Sequence, residues 1–300
     1  MPVPSPHTPL NPPTVAIRRA RRSLRCATNP RRCATCGTRG ARNPPPTDSQ
    51  RCRNPNRVEG TLTWFLNHDK YRHWHEREAS LLWVSADAGC GKSVLASFLV
   101  DELKNQLPLS DTVCFFSFKH DDEEQKNATF ALSALLHQLF AAKNVLIKHA
   151  ISDFKSKGEK FKEEFGTLWR IFKAATTDPD CGNIVCIIDA LDECEEPTRA
   201  ELVRSLVNMY DEATSAARNT NKTYPKLLLT SHGYGSIERQ FKKFPTIRLK
   251  AEEQTPAISA DIKLLVNSEI EELGEAWDLT DGDRERLRHN LIKGADRTFL

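Results

Sequence analysis

At 300 residues, 39% hydrophobic and 28% charged, the chain holds enough apolar surface for one large or two modest globular domains. Its net charge of +3 hides an uneven balance: residues 1–57 carry 12 Arg, no Lys and one acid, Asp48, for +11, so residues 58–300 carry −8. No run approaches the roughly 18 apolar residues of a membrane span, and the start, MPVPSPHTPL, lacks the charged-then-apolar layout of a secretory signal.

Residues 1–57 are rich in Pro, Arg and Thr, show little apolar periodicity and are expected to form a disordered tail. Within them Cys26, Cys33, Cys36 and Cys52 form C-x6-C-x2-C-x15-C. The inner spacing suits zinc, but no apolar residues surround it to build a mini-core. The stretch VAIRRARRSLRCA could form the amphipathic helix of a mitochondrial transit peptide, a reading that the many prolines oppose. The tail's charge allows nonspecific contact with nucleic acid and marks no dedicated nucleic-acid site.

From residue 58 the pattern changes. Leu62, Phe65, Leu66, Tyr71 and Trp74 suggest short amphipathic helices leading into a strand, SLLWVS, at 80–85. His68, His73 and His75 invite a metal reading, but residues two apart on a helix do not share a face. Solvated histidines are expected instead. A loop at 86–93 follows, then a helix with Val94, Leu95, Phe98, Leu99 and Leu103 at helical spacing. A second strand is TVCFFSF (112–118), and the acidic run Asp121–Glu124 reads as a solvated loop. The next helix places Leu132, Leu135, Leu136, Leu139 and Phe140 on one face; further helices are expected at about 144–155 and 161–175. NIVCIIDA (183–190) is continuously apolar, as a strand covered on both faces should be. Pro197 suits the first turn of a helix running to about Tyr210. Strands KLLLTS (226–231) and TIRLK (246–250) bracket a short helix around Ile237–Phe241, and the chain beyond Glu252 reads as helical.

Strands alternating with helices predict an α/β fold with a mainly parallel five-stranded sheet covered by helices, followed by the start of a helical region. Cys90, Cys114, Cys181, Cys186 and Cys194 lie in or beside strands and loops. They are expected to be small buried residues of a reduced, cytoplasmic protein.

Three stretches carry chemistry. SADAGCGKSV (85–94) fits the phosphate-loop pattern G-x-x-x-x-G-K-[ST], except that Ala86 holds the first glycine position. Ala88, Gly89, Cys90, Gly91 and Val94 would surround the phosphates, with Gly89 and Gly91 letting the backbone approach closely. Lys92 would supply the cation and Ser93 a magnesium ligand. A methyl at position 86 costs little if φ there is negative and roughly 1 kcal/mol if it is positive. The second stretch is IVCIIDALDE (184–193): Asp189, ending an apolar strand, would hold Mg2+, and Asp192 or Glu193 would polarise the attacking water. The third is LLLTSH (227–232), where Thr230, Ser231 and His232 end a strand at which a polar group can sense the terminal phosphate.

Together these stretches resemble the NACHT family of STAND P-loop NTPases, in particular the fungal NOD-like receptor type. GCGKSVL (89–95), VCFFSFKHDDEEQKNATFALSALLHQLF (113–140), CIIDALDEC (186–194), IERQF with IRL (237–249) and GADRTFL (294–300) carry the likeness, which spans about residues 58–300. The resemblance implies a nucleotide-binding domain over 58–250 and the start of a helical, winged-helix region over 251–300. It also implies binding of ATP or GTP with Mg2+, slow hydrolysis and nucleotide-dependent self-association. Such proteins act as signalling switches in non-self recognition and cell death, with effector and repeat domains that have no counterpart in this sequence, which therefore reads as a fragment or a truncated product. Where the family usually has Arg-Pro after Thr-Ser, this chain has His232 and Gly233. An imidazole mostly neutral at neutral pH thus replaces a fixed cation, so binding is expected to survive while hydrolysis weakens. Two other classes stay open: a nucleotide-holding scaffold without effective hydrolysis, and a metabolic ATPase or kinase, for which no substrate lid is evident.

Overall fold

Five apolar runs become five strands: β1 (Leu81–Ser85), β2 (Thr112–Ser117), β3 (Ile184–Asp189), β4 (Lys226–Ser231) and β5 (Thr246–Arg248). They form one sheet in the order β2-β3-β4-β1-β5, and every neighbouring pair is parallel. All residues of β1 and β3 are buried, because helices cover both faces. The computed structural model describes residues 58, 60–77, 79–108, 110–216, 223–249 and 255–294. The 1–57 tail, with its zinc and transit-peptide readings, and most of the GADRTFL block lie outside the described residues.

The helices are α1 (Thr63–Leu66), α2 (Asp69–Glu76), α3 (Lys92–Gln106), α4 (Ala128–Ala142), α5 (Lys148–Lys157), α6 (Phe165–Thr176), α7 (Glu196–Ala216), α8 (Gly235–Phe241), α9 (Thr255–Ala276) and α10 (Asp281–Gly294). Side chains alternate across each strand. Leu81, Trp83, Cys114, Phe116, Cys186 and Ile188 therefore join one core with α4 to α8. Leu82, Val84, Val185, Ile187 and Leu228 join a second core with α1 to α3 and α9. The five apolar residues assigned to one face of α4 are all buried, and Asn127 caps that helix by accepting from the Thr129 amide at 2.7 Å. All five cysteines named above, outside the tail, are buried free thiols.

The structure departs from the sequence reading in several places. α5 and α6 begin at 148 and 165, because 3-10 turns over 144–147 and 158–163 take the first residues of each expected helix. Gly158, at φ 61°, ends α5. α7 runs on to 216, past Tyr210. His75 is not a solvated histidine. Its ring stacks on Tyr71 with centroids 5.9 Å apart, and its Nε2 is buried without a hydrogen-bond partner. Burial, helped by Lys226 and opposed by Glu76, pushes its pKa down. His68 caps α2, accepting from the Lys70 amide at 3.1 Å.

The start of the helical region is packed onto the sheet domain. Ile258, Ile262, Val266 and Ile270 form a helical stripe on α9 that enters the second core beside Leu62 and Phe65. Buried Asp261 accepts from the Leu62 amide and the Trp64 indole, both at 2.9 Å. These bonds hold Leu62 in its left-handed conformation, φ 62°. Among the described residues, no helix is long and apolar enough to cross a membrane.

Candidate functional site

The loop between β1 and α3 takes its shape from two glycines. Gly89 and Gly91 sit at φ 73° and 74°, a region open to glycine at little cost. Ala86 does not: among the described non-glycine residues only Leu62, Ala190 and Asp278 have positive φ. The missing first glycine therefore carries no left-handed strain. Ala86 is buried, and its amide donates to the Ser231 carbonyl at 3.1 Å, tying the loop entrance to the end of β4.

Beyond that anchor the backbone is underused. The amides of Ala88, Gly89, Cys90 and Gly91 donate to no described residue. They precede the first turn of α3, where Lys92, Ser93 and Val94 add the positive end of the helix. Such a run of free donors suits an anion's oxygens. Lys92 reaches back across the loop, its Nζ donating to the carbonyls of Ala86 at 3.1 Å and Asp87 at 2.9 Å. Burial lowers its pKa, while the charges of Asp192, Cys90, Asp189 and Asp87 work the other way. Buried Cys90 places its Sγ 3.8 Å from the Ala88 carbonyl.

Asp189 lies two strands away, since β4 separates β1 from β3. Its carboxylate is fully buried and held from both sides: Ser117 of β2 donates to Oδ2 at 2.8 Å, and Thr230 of β4 donates to Oδ1 at 2.6 Å. The Thr230 hydroxyl in turn accepts from the Ala190 amide at 2.9 Å. Ala190 itself is left-handed, at φ 54° and ψ 46°, which costs roughly 1 kcal/mol. That twist starts the 3-10 turn Leu191–Glu193 carrying the two further acids.

Those acids differ in surroundings. Asp192 clasps the end of β4: Oδ1 accepts from the His232 amide at 2.8 Å, and Oδ2 lies 3.7 Å from His232 Nε2. Arg199 braces the turn through the carbonyls of Asp192, at 3.0 Å, and Cys194, at 2.9 Å. Glu193 is half-buried, and its Oε2 accepts from the His120 amide at 3.1 Å. Burial raises its pKa first, and Asp192, Asp189 and Asp121 add to the rise against the opposing His120 bond. A carboxyl with raised affinity for a proton is suited to take one.

The structure therefore brings Asp189 and Asp192 within electrostatic reach of Lys92, with His232 bonded to Asp192 and Glu193 beside the two aspartates. It does not bring the Ser231 hydroxyl there. That group is fully buried, accepts from the Trp83 indole at 2.8 Å and donates to the His232 carbonyl at 2.9 Å. Alternation along β4 gives Thr230 the site-facing role and turns Ser231 toward Trp83. The His232 ring stacks on Tyr234, centroids 5.4 Å apart. Sequence reasoning missed Ser117, although a polar residue ending β2 in register with Asp189 was a usable signal. It also missed the His120 amide and Arg199, which no local pattern marks.

Among the described residues no three His, Cys, Asp or Glu side chains form a ready cage. A Mg2+ ion here would rest on Ser93 and Asp189, with phosphate oxygens and waters completing its shell, as this cation commonly does.

The vegetative incompatibility protein HET-E-1 of Podospora anserina is 27% identical over 248 residues, which is 81% of this chain. The chain spans 18% of that relative's length. Among solved structures, the Aeropyrum pernix ORC2 protein in ADPNP–ADP complexes matches at a TM-score of 0.42 and 12% identity, over 81% of this chain and 70% of that one. A DNA replication initiation factor matches at 0.40 and 11%, over 80% and 60%. At these scores the two add nothing to the fold described above. A family model described as Nephrocystin 3, N-terminal, matches residues 60–232. That match covers more than half of the chain and includes the phosphate loop, Asp189 and the end of β4: the chain belongs to the Nephrocystin 3 N-terminal family, within the NACHT-like P-loop proteins that its motifs resemble.

Proposed function

We propose that this chain is a nucleotide-operated switch module that binds ATP or GTP with Mg2+ and hydrolyses it slowly. The observation that carries the reading is the run of four unpartnered amides, Ala88 to Gly91, closed by a lysine and followed by a helix N-terminus. In this reading the amides and Lys92 bind the phosphates, and Lys92 exchanges its two carbonyl partners for phosphate oxygens. Ser93 and Asp189 would hold Mg2+, which when bound neutralises charge developing on the phosphates. Ser117 and Thr230 keep the Asp189 carboxylate in one orientation. Glu193, with its raised pKa, orients the attacking water and takes its proton. Asp192 links this turn to His232, so that a change at the phosphates reaches β4. The likeness to a vegetative incompatibility protein supports a proposed signalling role in fungal non-self recognition, and the resemblance of the motifs to the NACHT family supports nucleotide-dependent self-association as part of the proposal.

A second reading, a module that holds nucleotide without turning it over, is favoured by one observation. His232 is engaged by Asp192 and stacked on Tyr234, and no arginine stands at this strand end. The two separate in one experiment: titration with ATP and GTP, with and without Mg2+, on the parent and Lys92→Ala, with single-turnover hydrolysis and molecular size measured alongside. Lys92→Ala should weaken binding about 100-fold, the loss of charge-assisted bonds worth roughly 2–3 kcal/mol. Equal binding by both proteins would defeat both readings. Binding without Lys92-dependent hydrolysis would select the second.

A further inference from the structure

β5 is an edge strand with a groove beside it. In the parallel pairing with β1, Trp83 donates to the Pro245 carbonyl at 3.0 Å and Leu249 donates to the Ser85 carbonyl at 2.9 Å. The alternation then turns the backbone N–H and C=O of Thr246 and Arg248 away from the sheet. Among the described residues only Lys70 meets them, its Nζ donating to the Thr246 carbonyl at 2.7 Å. The groove along this edge has a volume of about 800 Å³ and lies between the start of α2, the end of α8 and β5. Trp83 and Phe244 give it an apolar floor. Three cations, Lys70, Lys242 and Arg248, and two acids, Asp69 and Glu238, line its rim. Arg248 already pairs with Glu238, so the rim accepts a carboxylate; Lys242 has no acid partner among the described residues.

We propose that this groove binds an extended acidic peptide segment of a partner protein, added as a sixth strand along β5. Its backbone bonds to the outward groups of Thr246 and Arg248. Its acidic side chains meet Lys242 and Lys70, which releases the Thr246 carbonyl, and alternate apolar side chains lie on Phe244. Strand addition fits because an edge of this kind offers donors and acceptors at strand spacing. Lys242, the rim cation with neither an acid nor a carbonyl partner among the described residues, favours an acidic strand over a basic one. A lysine laid across an edge can also serve to block pairing, and that use predicts no binding at all.

The test uses the full chain and a fluorescein-labelled peptide, Val-Glu-Val-Glu-Val-Glu-Val, followed by fluorescence anisotropy. Saturable binding is expected, at least about tenfold weaker with Lys242→Glu and undetectable for the same peptide with Lys in place of Glu. Methylating the peptide's backbone nitrogens at alternate positions should weaken binding tenfold in one of the two alternating sets. Lys92→Ala should bind the peptide like the parent, which keeps this inference separate from the nucleotide reading. Circular dichroism and melting of Lys242→Glu confirm that it folds, with Lys242→Ala as the milder variant. Absence of saturable binding, indifference to both methylated sets, or equal binding by Lys242→Glu would each overturn the proposal.

Discussion

Thr230→Val tests the clamp on Asp189. Valine keeps the shape of threonine and removes its hydroxyl, which makes two bonds in a fully buried position: to Asp189 Oδ1 at 2.6 Å and from the Ala190 amide at 2.9 Å. A hydrogen bond to a charged group is worth about 1.5–3 kcal/mol, and a buried donor left without an acceptor costs about 1–3 kcal/mol. Solvent cannot replace either bond, and Ala190, already left-handed, has little freedom to turn its amide elsewhere. The expected loss is roughly 3–5 kcal/mol, which for a domain of this size lowers Tm by about 10 °C. Thermal melting by circular dichroism measures it. A double-mutant cycle with Asp189→Asn should give a coupling of at least about 1 kcal/mol, because the two residues share a bond. A Thr230→Val protein melting within about 2 °C of the parent, or a cycle with no coupling, would refute the clamp.

Other expectations follow from the same geometry. Ala86→Gly should leave nucleotide affinity within about twofold, since φ at that position is not positive, and should cost roughly 0.5–1 kcal/mol of stability; a large gain in affinity would show that the alanine does impair the loop. His232→Arg should raise single-turnover hydrolysis at least about tenfold by placing a fixed cation at the end of β4, and an unchanged rate would remove His232 from the proposed account of slow hydrolysis. Asp178 supplies a pH test away from the site. Burial works against its charge, but Lys148, the Asp180 amide and His149 outweigh it and bring its pKa from 3.8 to about 2. A carboxyl lowered in this way adds stability above its unfolded pKa and loses it as pH falls through the folded one. Asp178→Asn should therefore melt a few degrees below the parent at pH 6, and the gap should close between about pH 4 and pH 2.

Much of the fold was legible because its signals are local. LLWV, VCIID and KLLLT are apolar on both faces, a pattern strands covered on both sides require. GCGKS between a strand and a helix marks a phosphate loop by residue type alone, since only glycine adopts the φ of Gly89 and Gly91 at no cost. Ala86 was undecided from sequence, because the answer depended on one dihedral angle. The starts of α5 and α6 were misjudged for a related reason: over a single turn, 3-10 and α-helical segments both bring apolar residues three apart onto one side and differ in which carbonyl each amide meets.

The assembly of the site belongs to the tertiary structure. Strand order, set by which apolar faces pack together over long separations, places β4 between the loop and Asp189. That order makes Thr230 a clamp and turns Ser231, its neighbour in sequence, into a partner of Trp83. It also joins Ser117 to Asp189 across 72 residues and the His120 amide to Glu193 across 73. The amino-acid sequence by itself determined the elements, the loop and the acids available to it. Which of those acids is clamped, which clasps β4 and which is left with a raised pKa was decided by the packing of the sheet, because burial and hydrogen-bond partners come from residues distant in the chain.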